Sequence, residues 1–407
     1  MNVFHFHRPA VLGLIIFSFV FAFQDCDKKK NNSVNSPSKN QNSQISDLPN
    51  NNSANTDLTN NLRINEETHL FGVTIDSIEN IGDTADSLKI LRAIRKPIVR
   101  VVFDPDKNAD YYKPALDKLK NDGNDVMGLL ADSSAMHVYK NTDDFKARTE
   151  QYLQTMDKSN SVDIWEIGNE VNGEWVGYQR LDNESDKQFE KRLKKELPER
   201  KYEELDAIRR RVAAQITEAF KIVDGKGKET ALTLYYNDDN INQKADKCDY
   251  PANYCWPDLC RNKVLEGQDY GMLNWVRKYL TDAEMRDRLK YVFISFYEDD
   301  CKLLSKDVDK DVAKFVEIFK ELSAIFPNAK LGFGEFGPQC KSCDDNRSCR
   351  KCLNAQKEFI ERYYKTYDTK LKAGVEKYVG GYFYWYFKQD MVPKEKESLR
   401  TLANTIK

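Results

Sequence analysis

The chain is poor in histidine, has no excess of either charge and contains no apolar run of membrane length. Four of its 407 residues are His. His5 and His7 fall in a leader-like N-terminal segment, so only His69 and His137 remain for a folded domain. Centres built from several imidazoles are thereby excluded, and a Ser-His-Asp triad would have to use one of those two. Lys and Arg number 63 against 65 Asp and Glu, a net charge of -2. Binding to nucleic acid or to an anionic membrane surface would favour a basic excess, so neither is expected as the main partner. The uncharged run Val11–Phe23 has 13 residues, whereas a spanning helix needs about 20. With Arg8 ahead of it, it reads as the core of a signal peptide over residues 1–25. What the chain does have is 31% charged, 40% hydrophobic and 12% aromatic residues, the composition of a soluble globular protein rich in rings.

Cys26 follows the apolar run and precedes Asp27-Lys28-Lys29-Lys30. Its position resembles the lipid-attachment cysteine of bacterial lipoproteins, although Phe23-Gln24-Asp25 departs from the usual small residues before it. Residues 26–62 are rich in Asn, Ser, Asp and Lys. They cannot bury enough apolar surface to offset ordering entropy, so a disordered tether is expected there. The expectation is an exported monomer, lipid-anchored at the cell envelope or secreted, touching membrane only through the lipid, with one folded domain over residues 63–407. Setting Cys26 aside, eight cysteines remain, all in the C-terminal half. Cys340-x2-Cys343 and Cys349-x2-Cys352 invite a zinc reading, but only five residues separate the pairs. That spacing and the export signal favour disulfides.

From residue 69 onward, short β-branched and aromatic runs alternate with longer charged amphipathic stretches. The runs are 69–75, 97–103, 126–131, 162–168, 231–236, 291–297, 330–334 and 381–387. Near-continuous apolar runs of this length suit parallel strands covered on both faces. Helical patterns lie at 111–121, 203–224, 273–280, 308–326 and 353–373. Eight such repeats predict an α/β chain folded as a single (β/α)8 TIM barrel with long loops at its C-terminal face. The rival, an open doubly wound sheet, usually has fewer strands. In a barrel the chemistry stands at the C-terminal strand ends. Here those ends carry Asp76, Asp104, Asp132, Asn169-Glu170, Asn237-Asp238, Tyr297-Glu298, Glu335 and Trp385 to Lys388. Carboxylates, amides and aromatics crowd that face, which points to acid-base chemistry.

Strand four ends Trp165-Glu166-Ile167-Gly168-Asn169-Glu170, and strand seven ends Gly332-Phe333-Gly334-Glu335-Phe336-Gly337. In this the sequence resembles the clan A glycoside hydrolases, retaining (β/α)8 enzymes with an Asn-Glu pair after strand four and a nucleophilic Glu after strand seven. The resemblance implies Glu170 as general acid/base, Glu335 as nucleophile and Asn169 as partner of a sugar hydroxyl. It further implies that Arg100 on strand two supports the nucleophile, Tyr297 hydrogen-bonds it and Trp385 lies under the sugar. Leu234-Tyr235-Tyr236-Asn237-Asp238-Asp239-Asn240 is similar to a strand-five segment of family 10 xylanases, which adds Asn237 as a substrate contact. The rest of that family's pattern is absent, and the family within the clan stays open. Trp175 and Trp256, in long loops, are placed to stack on a sugar face, and His137 to line a subsite. Glu166, four residues inside strand four, is expected to be a paired structural carboxylate. The implied activity is retaining hydrolysis of β-glycosidic bonds in an oligo- or polysaccharide, without metal or cofactor. A non-catalytic carbohydrate-binding lipoprotein on the same barrel is the alternative, and a metal-using barrel enzyme a third.

Overall fold

The structure, a computed structural model, describes residues 69–173, 175–178, 181, 184, 188–189, 191–192, 196, 202–236, 272–297, 307–338, 340 and 346–407. The expected signal peptide, the tether and Cys26 lie outside the described residues, as do Asn237, Trp256, Glu298 and the cysteines at 248, 255, 260, 301 and 343.

Eight strands close into one barrel in sequence order. They are β1 (Leu70–Ile75), β2 (Ile98–Val102), β3 (Asp125–Leu129), β4 (Ile164–Asn169), β5 (Glu229–Tyr235), β6 (Tyr291–Phe296), β7 (Lys330–Phe336) and β8 (Tyr378–Tyr384). Each pairs in parallel with its neighbours, and β8 returns to β1. Helices connect the strands, among them Ala109–Asn121, Tyr202–Asp224 and Val308–Ile325. The (β/α)8 expectation holds.

Strand side chains alternate between two apolar layers, as a period of two requires. Outward residues such as Val73, Val99, Val101, Leu232 and Ile294 join Leu88, Leu116, Phe220 and Phe319 of the surrounding helices. Inward residues form a smaller cluster of Leu70, Ile98, Met127, Ile164, Ala231, Tyr291, Phe293, Val379 and Phe383. β7 contributes nothing to that inner cluster. A Cβ on Gly332 would stand 2.2 Å from the Gly380 carbonyl oxygen, and one on Gly334 2.6 Å from Thr233. The run Gly332 to Gly337 has the spacing G-x-G-x-x-G, but it lies in a strand and its exit. Here the two inward glycines serve close packing within a barrel, not a phosphate loop.

β8 starts and ends three residues earlier than its apolar run predicts. Gly380 and Gly381 have φ of +81° and +98°, so the chain kinks inside the strand, where the pairing with β7 shifts register. Two helices absent from the sequence reading, Ile81–Arg92 and Thr142–Asp157, bury Thr84 and Ser87, and Arg148 and Thr149, respectively. Polar groups on the buried face mask the helical periodicity.

Cys340 and Cys352 form a disulfide with Cα atoms 5.2 Å apart. It pairs one cysteine from each CxxC and ties the segment after β7 to the helix Arg350–Glu361. Disulfide formation, preferred above to zinc, is therefore observed at these two positions.

Candidate active site

The site begins halfway up the barrel interior. On β2 the inward sequence is Ile98 then Arg100, and on β4 it is Ile164 then Glu166. One step above the apolar floor, the Arg100 Nε donates to Glu166 Oε2 at 2.6 Å and Nη2 to Oε1 at 3.2 Å. The Thr233 hydroxyl also donates to Glu166. Neither side chain of the ion pair is exposed to solvent. Glu166 is thus the buried, paired carboxylate that its place inside the strand predicts.

Above this layer two bulges change which residues face inward. Glu166 pairs with Ala231 but Asn169 with Thr233, three residues on β4 against two on β5. The extra residue moves the inward phase from even to odd numbers and brings Asn169 into the mouth. On β7, Phe333 and Phe336 both pack outward, three residues apart, opposite Ile294 and Phe296, two apart. That bulge leaves Glu335 facing in. Both strands expected to carry chemistry are therefore irregular near the expected residues.

Glu335 is 6% exposed. Its Oε2 accepts from Asn169 Nδ2 at 2.8 Å and from Arg100 Nη1 at 3.5 Å, and its Oε1 accepts from the Tyr297 hydroxyl at 2.6 Å. Burial pushes the Glu335 carboxyl up to about 7, and nearby Asp132 adds to the rise, while Arg100 and the bonds from Tyr297 and Asn169 pull against it. Arg100 divides unequally: Glu166 takes two close bonds and Glu335 one long contact. The less neutralised carboxylate is the one that faces the mouth.

Glu170 is 9% exposed and sits immediately past β4 with φ of +51°. Its backbone N–H donates to the Thr233 carbonyl at 2.8 Å, and its carboxylate accepts from the Ser295 hydroxyl. The Tyr297 phenol lies well above its ordinary range, first through burial and then through the charges of Glu335, Tyr386 and Glu170. It therefore stays protonated and able to donate. That hydroxyl bonds Glu335 directly, and the charge of Glu170 acts on it as well. Trp385 follows β8, with the Arg100 guanidinium 5.7 Å from its ring centre.

The structure thus gathers Arg100, Asn169, Tyr297 and Trp385 around Glu335. Beside them, a cavity of about 200 Å³ opens against Trp385, lined by Asp76, Asp104, Asp132, Phe103 and Ser134 among others. His137 lies on the loop after β3, its Nδ1 2.7 Å from the Ser134 carbonyl oxygen, with burial lowering its affinity for a proton. Trp175 is half-buried; its Nε1–H donates to Ser133 at 3.0 Å and its ring meets Tyr235 edge-on at 4.8 Å.

Three residues in the constellation were not assigned a role from sequence: Ser295 on Glu170, Thr233 on Glu166, and Asp132, which accepts from Asn169 Nδ2 at 2.8 Å. Ser295 did carry a signal. It is the one small polar residue at the inward phase of Tyr291, Phe293 and Ser295 on a strand otherwise apolar and aromatic.

No protein-family model matches the chain, and no curated protein does. Among solved structures it is similar to ScGas2 in complex with a small compound, at 14% identity and a TM-score of 0.41, covering 83% of this chain and 63% of that one. It is also similar to PbGH5A, a glycoside hydrolase family 5 enzyme from Prevotella bryantii B14 bound to a xyloglucan tetradecasaccharide, at 12% identity and a TM-score of 0.43, covering 79% and 86%. A family 5 xyloglucanase from Paenibacillus pabuli matches at 11% identity and a TM-score of 0.45, covering 84% and 99%. The chain spans less than two thirds of the length of ScGas2. The likeness is one of fold, and no residue's role rests on it.

Proposed function

We propose that this chain is a retaining β-glycosidase acting on an oligo- or polysaccharide. The observation that carries the reading is Glu335, buried at the barrel mouth and held by donors from β2, β4 and the end of β6, with Glu170 buried just past β4. A carboxylate oriented on both oxygens and incompletely neutralised is suited to attack an anomeric carbon. In the first step Glu335 forms a bond to that carbon while the bond to the leaving oxygen breaks, and Glu170 gives its proton to that oxygen. In the second step Glu170 takes a proton from water, whose oxygen displaces Glu335.

Asn169 fits this role. Its Nδ2 is committed to two carboxylates, Asp132 and Glu335, so the amide orientation is fixed and the Oδ1, buried without a partner, remains to accept from a sugar hydroxyl. The reading includes export and a lipid at Cys26, which a Cys26→Ser variant lacking membrane retention would support.

The test is a screen of aryl β-glycosides and β-glucans, with the first-formed anomer followed by proton NMR. A β product is expected. An initial α product would replace retention by inversion, and binding without release of reducing ends would leave a carbohydrate-binding protein.

A further inference from the structure

Glu170 and Glu335 each take a hydroxyl donor from one stretch of chain. On β6 Ser295 donates to Glu170, and two residues on, just past the strand, Tyr297 donates to Glu335 at 2.6 Å.

Ser295 is fully buried, and its backbone is fixed in the sheet. It pairs with Tyr235 of β5, and its carbonyl accepts from the Tyr236 N–H at 3.1 Å. Two residues back on the same face, Phe293 packs edge-on against Phe383 with ring centres 5.4 Å apart. A single side-chain torsion sets the place of the serine oxygen, so a fixed backbone aims the donor closely. Glu170 is anchored differently. Its backbone N–H donates to the Thr233 carbonyl, and its own carbonyl accepts from the Gly173 N–H, both at 2.8 Å. Buried Asn172 ties the same turn to β5 again: its Nδ2 donates to the Tyr235 carbonyl at 2.8 Å, and its Oδ1 accepts from the Tyr235 N–H at 2.7 Å. Tyr235 therefore locates both the strand that carries Ser295 and the turn that carries Glu170. These backbone ties stop short of the carboxylate, which stands three rotatable bonds away. The Ser295 hydroxyl acts on that head directly, at Oε1.

We propose that Ser295 is a positioning residue for Glu170, steering the acid/base from β6 as Tyr297 steers the nucleophile. With Oε1 accepting from Ser295, the transferable proton is carried on Oε2, which meets the leaving oxygen in the first step and water in the second. That role rests on the glycosidase reading; the contact itself does not.

The test compares the full wild-type chain with Ser295→Ala, using phenyl and 2,4-dinitrophenyl β-glucosides as probes. Dinitrophenolate leaves without protonation, whereas phenolate needs the acid. The expected result is kcat/KM lower by about 10- to 30-fold on the phenyl glucoside and within about threefold of wild type on the dinitrophenyl one. A purely structural loss would lower both alike. The lost hydroxyl favours the charged carboxylate, so the basic limb on the phenyl probe should move up by about one pH unit. A readout without turnover accompanies it: carbon NMR titration of glutamate-labelled chain, the Glu170 carboxyl signal being the one missing in Glu170→Gln. Its midpoint should rise by about the same amount in Ser295→Ala. Equal losses on the two probes, or an unmoved midpoint, overturn the proposal. An unmoved midpoint in a chain that hydrolyses both probes removes Ser295 and keeps the hydrolase. A raised midpoint in a chain that hydrolyses no β-glycoside keeps the contact and removes the hydrolase.

Discussion

The lower and upper halves of the barrel interior are built on one alternation and do opposite things. Below, Leu70, Ile98, Ile164, Ala231, Tyr291 and Val379 fill the space with apolar side chains. Above, the same strands present Arg100, Glu166, Thr233 and, past the β4 bulge, Asn169, all buried and polar. Burying apolar area stabilises the closed sheet directly. Burying charge does so only where every group finds a partner, and the upper half leaves Glu335 under-neutralised and the Asn169 Oδ1 unpartnered. The regular half of the interior holds the barrel shut; the irregular half gives up stability, which the proposed function accounts for as reactivity.

The largest expected effect falls on the polar half. Glu335→Gln should lower kcat/KM on any glycoside substrate by about 10⁴-fold or more with the far-UV circular dichroism unchanged. Activity within tenfold of wild type would dissolve the distinction between the halves. The same variant reports the cost of the site. The folded-state carboxyl, at about 7, lies above its ordinary value of 4.5, so the folded protein holds the extra proton between those pH values. That group's share of stability is complete at low pH and is lost as pH rises through the window, on the order of 3 kcal/mol. Wild-type stability should therefore fall more steeply than that of Glu335→Gln from pH 5 to 7, and kcat/KM should rise over the same window as the nucleophile ionises.

Next, Arg100→Met should destabilise by about 3–5 kcal/mol in denaturant unfolding, because Glu166 is left charged and buried. Adding Glu166→Leu should recover most of that loss without restoring activity, if the ion pair is structural and Glu335 still needs Arg100. A smaller effect is expected for Tyr297→Phe: kcat down by about 10- to 100-fold, with the acid limb of the pH profile moved upward. The lost hydroxyl had favoured the charged carboxylate. Smallest is Ile164→Val in the floor, about 0.5–1.5 kcal/mol of stability with kcat/KM unchanged.

Legibility in the sequence follows the same division. Apolar runs announced all eight strands because a parallel strand is covered on both faces. The places of Glu170 and Glu335 at the ends of β4 and β7 were readable because counting strands locates the ends. The pairing of Arg100 with Glu166 was not readable, since it depends on the relative height of two strands that are not neighbours. Nor was the inward turn of Glu335, which depends on a bulge set by register against β6. The kink at Gly380 and Gly381 moved β8 by three residues for the same reason: three consecutive positive-φ residues, Gly380, Gly381 and Tyr382, interrupt a strand that composition alone draws as continuous.

The left-handed backbone of Glu170 sets two selective pressures against each other at a single codon. A side chain at φ of +51° costs on the order of 1–3 kcal/mol that glycine would not incur. Random mutagenesis selected for thermal endurance alone would favour Glu170→Gly, enriching clones that are hardier and, if Glu170 is the acid/base proposed above, inert. Selection that demands product would hold glutamate there despite the strain.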